Sequence, residues 1–195
     1  MSDTLYEKSN TGDDINASIG NPNTAWEGQT FTPSITHTIT SVKLYLHRDD
    51  GVLPGIVTVS IRATTASLPT GSDLCSGTYN SNLLTPFTYT WIEFTFGAGT
   101  KLLASTKYAI VIRVTHATDQ LKSRATLPGT YASGSAVYSG DSGATWLDYG
   151  TFDHQFEEYG IPVPGEGIGV LFVYNETLHY VSHNGVEYAI QGTPS

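Results

Sequence analysis

The stretch 139–158 holds most of the side chains whose types and spacing could do chemistry. Its last part carries four carboxylates: Asp148, Asp153, Glu157 and Glu158. Glycoside hydrolysis requires two carboxyl groups held at a fixed separation. Asp153 and Glu157, however, share one strand face with Gln155 and Tyr159, which is the pattern of a solvated outer face. We therefore predict a polar surface here and no catalytic pair.

An S-x-D-x-G-x-T-W pattern, from Ser139 to Trp146, precedes these carboxylates. It resembles the Asp-box of sialidases and other sugar-processing propellers, where the motif recurs once per blade, lies away from the active site and forms a hairpin. In this sequence it occurs once. Asp141 is suited to an Asx-type turn, Gly143 to a positive φ, and Trp146 to burial under the loop. The pattern predicts a structural turn, with a sugar-contacting role as the alternative.

The histidines and the single cysteine have no metal-ligand spacing. The six histidines, at positions 37, 47, 116, 154, 179 and 183, form no H-x-H or H-E-x-x-H pattern, so no zinc site is predicted. The stretches DINAS and SGDSG leave a structural calcium ion open, although no EF-hand loop occurs. Cys75 is expected to be a small buried apolar residue. No G-x-S-x-G elbow is found, and we predict neither a cofactor nor enzymatic activity.

Aromatic side chains on outward-facing positions are the remaining candidates for binding. They are Tyr45, Trp91, Tyr131, Tyr138, Tyr149 and Tyr159. Flat aromatic faces stack on sugar rings in carbohydrate-binding modules, tyrosine is a common anchor at protein interfaces, and it is also a good strand former. The sequence leaves these three interpretations open.

Length, charge and hydropathy exclude several classes of protein. The chain has 195 residues, which is enough for one well-packed domain with a small appendage. Its formal charge is −9 and its basic residues are scattered, so binding to nucleic acid is not expected. No stretch approaches the roughly 20 apolar residues of a membrane span. The first residues show no secretory signal pattern.

Alternating apolar residues predict about eight short strands between residues 26 and 160. Val42, Leu44 and Leu46 share one face, as do the alternate apolar residues of IVTVSIRA, WIEFTF and KYAIVIRVT. The last of these is the most apolar and is expected to be central in its sheet. LPTGSD is interpreted as a loop and GAGTKLLAST as a connection. The pattern predicts an all-β fold, an antiparallel β-sandwich of the jelly-roll type.

The two ends of the chain differ from this middle part. Residues 1–25 are polar and are expected to form an irregular N-terminal arm. Residues 161–169, IPVPGEGIG, are interpreted as a Pro/Gly linker. Residues 170–195 are predicted to form a C-terminal β-meander, whose last two strands are joined by Ser182-His183-Asn184-Gly185. The candidate assembly residues of this meander are Phe172, Tyr174, Tyr180 and Tyr188.

Residues 26–160 resemble a jelly-roll module that recurs in phage structural proteins and in bacterial and archaeal surface proteins. The likeness rests on the order and spacing of QTFTPSITHTITSVKLYLHR, LPTGSDLCSGTY, WIEFTF, YSGDSGATW and FEEYG. The tail GVLFVYNETLHYVSHNGVEYAIQG is similar to the terminal meanders of phage fibre and head-decoration proteins. The resemblance implies a non-catalytic building block or adhesive module and names no ligand.

These observations lead to two expectations about function. The first is a non-enzymatic virion protein of a phage-like particle, a head decoration or fibre protein made in the host cytoplasm. Its expected partners are capsid, tail or sister subunits in a homo-oligomer, for which threefold symmetry is the expected form. The alternative is a carbohydrate-binding or adhesin module that binds a glycan on a cell or particle surface.

Overall fold

The computed structural model describes residues 3–12, 15–20, 24–115 and 121–163 in full, and the backbone of 170–174, 177–181 and 187–190. Its strands are β1 Thr4–Ser9, β2 Ile15–Ile19, β3 Trp26–Phe31, β4 His37–Arg48, β5 Ile56–Thr65, β6 Leu68–Asn80, β7 Thr90–Leu102, β8 Tyr108–Val114, β9 Leu121–Thr126, β10 Ala136–Ser139, β11 Leu147–Asp148, β12 Asp153–His154, β13 Phe156–Pro162, β14 Val170–Tyr174, β15 Thr177–Val181 and β16 Glu187–Ile190. One 3₁₀ turn spans Ser81–Leu83. In the described residues no helix is long and apolar enough to cross a membrane.

Two antiparallel sheets form the body of the molecule. The first has the order β1-β13-β4-β9-β12, with β7 paired to β4 and β2 paired to β9. The second has the order β11-β10-β3-β8-β5-β6. The strands from β3 to β9 pass between the sheets at every step except the β5–β6 hairpin. The predicted antiparallel sandwich is confirmed, and this repeated crossing is the winding expected of a jelly roll.

The core lies between the sheets and is built from the alternating residues of the predicted strands. Val42, Leu44 and Phe94 of the first sheet and Val59 and Ile110 of the second have no exposed surface. Strand β8 lies between β3 and β5, as predicted for the most apolar strand. Both of its faces are buried, because the loop that follows β10 covers its outer face.

Several segments have more regular structure than their sequence indicates. The N-terminal arm is not irregular: β1 pairs with β13 and β2 pairs with β9. LPTGSD is the first half of β6, which follows a tight turn at Ala66 and Ser67, where φ is 50° and 66°. GAGTKL continues β7, and β13 extends to Pro162 in the predicted linker. LPTGSD and GAGTKL show no alternation of apolar residues, so their sequences do not indicate strands. The turn at Ala66 and Ser67 has no glycine, so the usual hairpin signal is also missing.

The C-terminal meander is present as a separate three-stranded sheet with the order β14-β15-β16. Its register pairs Val173 with Leu178 and Tyr180 with Tyr188. The predicted turn at 182–185, most of the linker, and the side chains of the assembly residues Phe172, Tyr174, Tyr180 and Tyr188 lie outside what the structure describes.

Candidate functional site

The Asp-box forms a closed turn that uses both oxygens of its carboxylate. Asp141 Oδ1 accepts hydrogen bonds from Ser139 Oγ and the Thr145 backbone N–H, both at 2.8 Å, and Oδ2 accepts from Thr145 Oγ1 at 2.7 Å. The Gly143 N–H donates to Ser139 Oγ at 2.8 Å. The bonds from Thr145 and Ser139 lower the pKa of Asp141 to about 2. The carboxylate therefore holds the loop and has no arrangement suited to acid–base catalysis.

Trp146 packs this turn onto the second sheet. Its side chain is buried and its Nε1 donates to the Gly143 carbonyl at 3.2 Å. Gly143 has a φ of 82°, as the predicted turn requires, and a Cβ at this position would lie 2.6 Å from the Trp26 ring. The two indole rings are 6.5 Å apart. The turn therefore covers the outer face of β3 and β8.

Two arginines complete this face of the second sheet. Arg113 and Arg62 lie over the Trp26 ring at 5.1 and 5.3 Å. They also donate to Asp73, at 2.5 Å from Arg113 Nη2 and 2.8 Å from Arg62 Nε. Burial opposes ionisation of Asp73, but the bonds from Arg113 and Arg62 outweigh it and lower the pKa of this carboxyl. Asp73 thus forms ion pairs with both arginines on this face.

The carboxylates after the Asp-box do not form a uniform solvated face, so that prediction is wrong for Asp153, Gln155 and Glu158. All three side chains are buried. Asp153 accepts hydrogen bonds from Gln29 Nε2 at 2.9 Å and from the Tyr131 backbone N–H at 2.8 Å. Gln29 lies on β3 of the second sheet, so Asp153 on β12 of the first sheet bonds across the sandwich and does not face solvent. Glu157, in contrast, lies half-buried on the outer face as expected.

Two buried acid–imidazole pairs were not identified by the sequence patterns. His37 Nε2 and Glu158 Oε1 are 2.6 Å apart with no exposed side-chain surface, and Tyr6 stacks on the imidazole at 3.8 Å. His154 Nε2 and Glu27 Oε2 are 3.6 Å apart, also buried. In the described part of the chain, no three His, Cys, Asp or Glu side chains converge in a way that could hold a metal ion.

A row of stacked aromatic rings lies on the outer face of the first sheet. Tyr45 contacts Trp91 at 5.1 Å, with 21° between the ring planes, and Tyr89 at 5.0 Å. Tyr89 meets His47 edge-on at 4.3 Å, and Arg124 lies 5.3 Å from the Tyr89 ring. The rings face one another rather than lying side by side, so they do not form the flat platform of a sugar-stacking site. Alternation in β4 predicted Tyr45, but Tyr89 lies before β7 and was missed.

The loop next to this row exposes two large apolar side chains. Leu83 and Phe87 are 71% and 68% exposed. Arg48 fixes the loop, because its carbonyl accepts from the Phe87 N–H at 2.9 Å and its Nε donates to the Leu84 carbonyl at 2.8 Å. Phe87 has a φ of 56°, in the left-handed region that is unfavourable for a bulky residue. We call Leu83 and Phe87 together the apolar tip.

The other predicted aromatics are dispersed over the molecule. Tyr138 and Tyr149 are 5.6 Å apart near the edge of the second sheet. Tyr159 lies beneath the Lys43 ammonium at 4.5 Å and donates to Glu157 at 2.6 Å. Tyr131 lies next to β1 and β13, where its hydroxyl donates to Glu7 and its ring meets Phe156. The six aromatics therefore do not form one common binding surface.

No protein-family model and no curated protein matches this chain.

Proposed function

We propose that the chain is a non-enzymatic structural protein of a phage-like particle, a head decoration or fibre protein. It contacts capsid, tail or sister subunits through exposed apolar and aromatic groups. The apolar tip is the observation that carries this proposal, and the neighbouring row of Tyr89, Tyr45 and Trp91 extends it. Aromatic side chains are enriched at protein interfaces, and an exposed apolar patch beside them is a common mark of an interaction site.

The conformation of Phe87 supports a role in binding. A left-handed backbone at a non-glycine residue costs about 1–2 kcal/mol, and strained residues of this kind concentrate at functional positions. Phe87 gains little packing in return, since most of its ring is exposed and its contact with His47 is distant, at 6.4 Å. A partner that covers the ring would supply the missing burial.

The structural hydrogen bonds made by the acidic side chains support a non-enzymatic role. Asp141 closes a turn, and Asp153 on β12 joins Gln29 of β3 to the backbone of Tyr131. Glu158 is buried and bonded to His37, on whose imidazole Tyr6 stacks. Each of these carboxylates thus has a structural task within the fold.

The particle itself provides the direct test of this proposal. Phage-like particles released from the organism that carries this gene would be purified on a density gradient and their proteins identified by mass spectrometry. We expect this chain at a fixed ratio to the major capsid or tail protein. Its absence from intact particles, together with expression in the cells, would refute the proposal.

The contribution of the apolar tip can be tested separately with the double variant Leu83→Ser, Phe87→Gly. Glycine relieves the backbone strain, so we expect the melting temperature to stay the same or rise. Incorporation into particles should fall strongly. Leu147→Ser is the matched control, since Leu147 is also exposed but lies on β11, far along the second sheet. Equal incorporation of both variants would exclude the tip as the contact.

A further inference from the structure

A solvent-open cavity of about 180 Å³ lies at the edge of the first sheet, between the end of β1 and the loop after β9. We call it the Tyr131 pocket. It is lined by Lys8, Ser9, Asn10, Thr11, Thr130, Tyr131 and Ala132. The lining thus combines one aromatic ring with hydroxyl, amide and ammonium groups. Drug-sized ligands occupy sites of roughly 300 Å³ or more, so this pocket is suited to a single small ring.

Tyr131 is held in place by three contacts that need no ligand. Its ring meets Phe156 edge-on at 5.2 Å. Its hydroxyl donates to Glu7 Oε2 at 2.9 Å, and its backbone N–H donates to Asp153 Oδ2 at 2.8 Å. A ring fixed in this way loses little conformational freedom when a ligand binds, which favours affinity for a small molecule.

The polar groups around the ring match the hydrogen-bonding chemistry of a sugar. Asn10 Nδ2 donates to Glu157 Oε1 at 2.8 Å, which orients the amide beside the pocket. Thr11, Thr130 and Lys8 are exposed at the pocket. Hydroxyls both donate and accept, so this set can pair with the hydroxyls of a pyranose while an aromatic ring contacts its C–H groups.

The surrounding charge favours a neutral ligand over an anionic one. Glu7, Asp153 and Glu157 are hydrogen-bonded to the residues that line the pocket, whereas Lys8 is the single cation of the lining. The whole chain is also acidic, with a formal charge of −9. A carboxylate on the ligand would therefore meet a net negative field.

We propose that the Tyr131 pocket binds one neutral pyranose residue, a hexose or an N-acetylhexosamine. This binding activity goes beyond the structural role proposed above and is independent of it, because the pocket and the apolar tip are formed by different loops. It would add glycan recognition to a protein whose other contacts are with proteins.

The test is an NMR titration of the ¹⁵N-labelled full chain with methyl β-glucoside, methyl β-galactoside and N-acetylglucosamine. We expect at least one of them to shift the amide signals of residues 8–11 and 130–132, with a Kd in the millimolar range. N-acetylneuraminic acid is the anionic comparator and should bind more weakly.

Three variants localise the binding. Ala132→Phe fills the pocket from an exposed loop position and should abolish the shifts. Tyr131→Ala should weaken binding by about tenfold, while Tyr131→Phe, which keeps the ring, should bind like the native chain. The proposal is wrong if none of the neutral sugars shifts these signals, if Ala132→Phe binds normally, or if the anionic sugar binds most tightly. Ala132→Phe decides the question if Tyr131→Ala does not fold.

Discussion

His37 and Glu158 share one short hydrogen bond in a part of the sandwich that water does not reach. Burial disfavours the charged imidazole, but the hydrogen bond and attraction to Glu158 outweigh it and raise the pKa of His37 above 6.5. Burial also raises the pKa of Glu158 above 4.5, despite the imidazole beside it. The folded pair therefore retains a proton that the unfolded chain would release.

Because of this pair, we predict that the free energy of unfolding falls as the pH rises. A raised folded-state pKa gives stabilisation that is complete below the unfolded pKa and is lost as the pH passes the folded value. The loss begins above pH 4.5 for Glu158 and above pH 6.5 for His37. Urea unfolding between pH 5 and pH 9 measures it. Glu158→Gln should flatten or reverse the dependence, and an identical slope in this variant would contradict the assignment.

Residues within one loop could be assigned from the sequence, and residues brought together by the fold could not. Asp141, Gly143 and Trp146 make their turn with neighbours in 139–146, so residue type and spacing were sufficient. Asp153 bonds to Gln29, and Glu158 to His37, across most of the chain. No local pattern encodes these partners, so the burial of the two carboxylates could not be predicted from the sequence.

The strands also divide into those that the sequence predicted and those that it did not. Strands β4, β5 and β7 each bury an alternating apolar face, β8 buries both of its faces, and their apolar alternation predicted all four strands. Strands β1 and β9 and the first half of β6 carry mostly polar side chains. Strands β1 and β6 lie at the edges of their sheets, whereas β9 pairs with β2, β4 and β12. Backbone hydrogen bonding to these neighbours matters more in these segments than an apolar face.

The Asp-box loop is the element whose removal should be most damaging to the second sheet. Trp146 buries its indole against Trp26 and over the outer face of β8. We expect Trp146→Ala to lower the free energy of unfolding by about 3–5 kcal/mol, through lost contacts and a cavity. Thermal and urea unfolding measure this loss. Trp91→Ala is the matched control, because Trp91 is half-exposed in the aromatic row and should cost clearly less.

At the scale of the whole molecule, the sandwich and the meander differ in the stability expected for each in isolation. The sandwich has an extensive core between two sheets. The meander has three short strands, and its segment 170–190 is rich in apolar and aromatic residues. An isolated sheet of this size is only marginally stable in water. Its apolar residues require a cover, either the sandwich of the same chain or equivalent strands of sister chains.

We expect the cover to come from sister chains, with threefold association, because cyclic symmetry buries the same strands in every subunit and multiplies weak contacts to a particle. A chain ending at Val163 retains β1 to β13. It should fold with the melting temperature of the sandwich and remain a monomer, while the full chain forms a small oligomer. Light scattering on both chains measures the masses. If both are monomeric, and the amides of β14 to β16 are protected from hydrogen exchange in the full chain, the meander is covered by its own subunit and has no part in assembly.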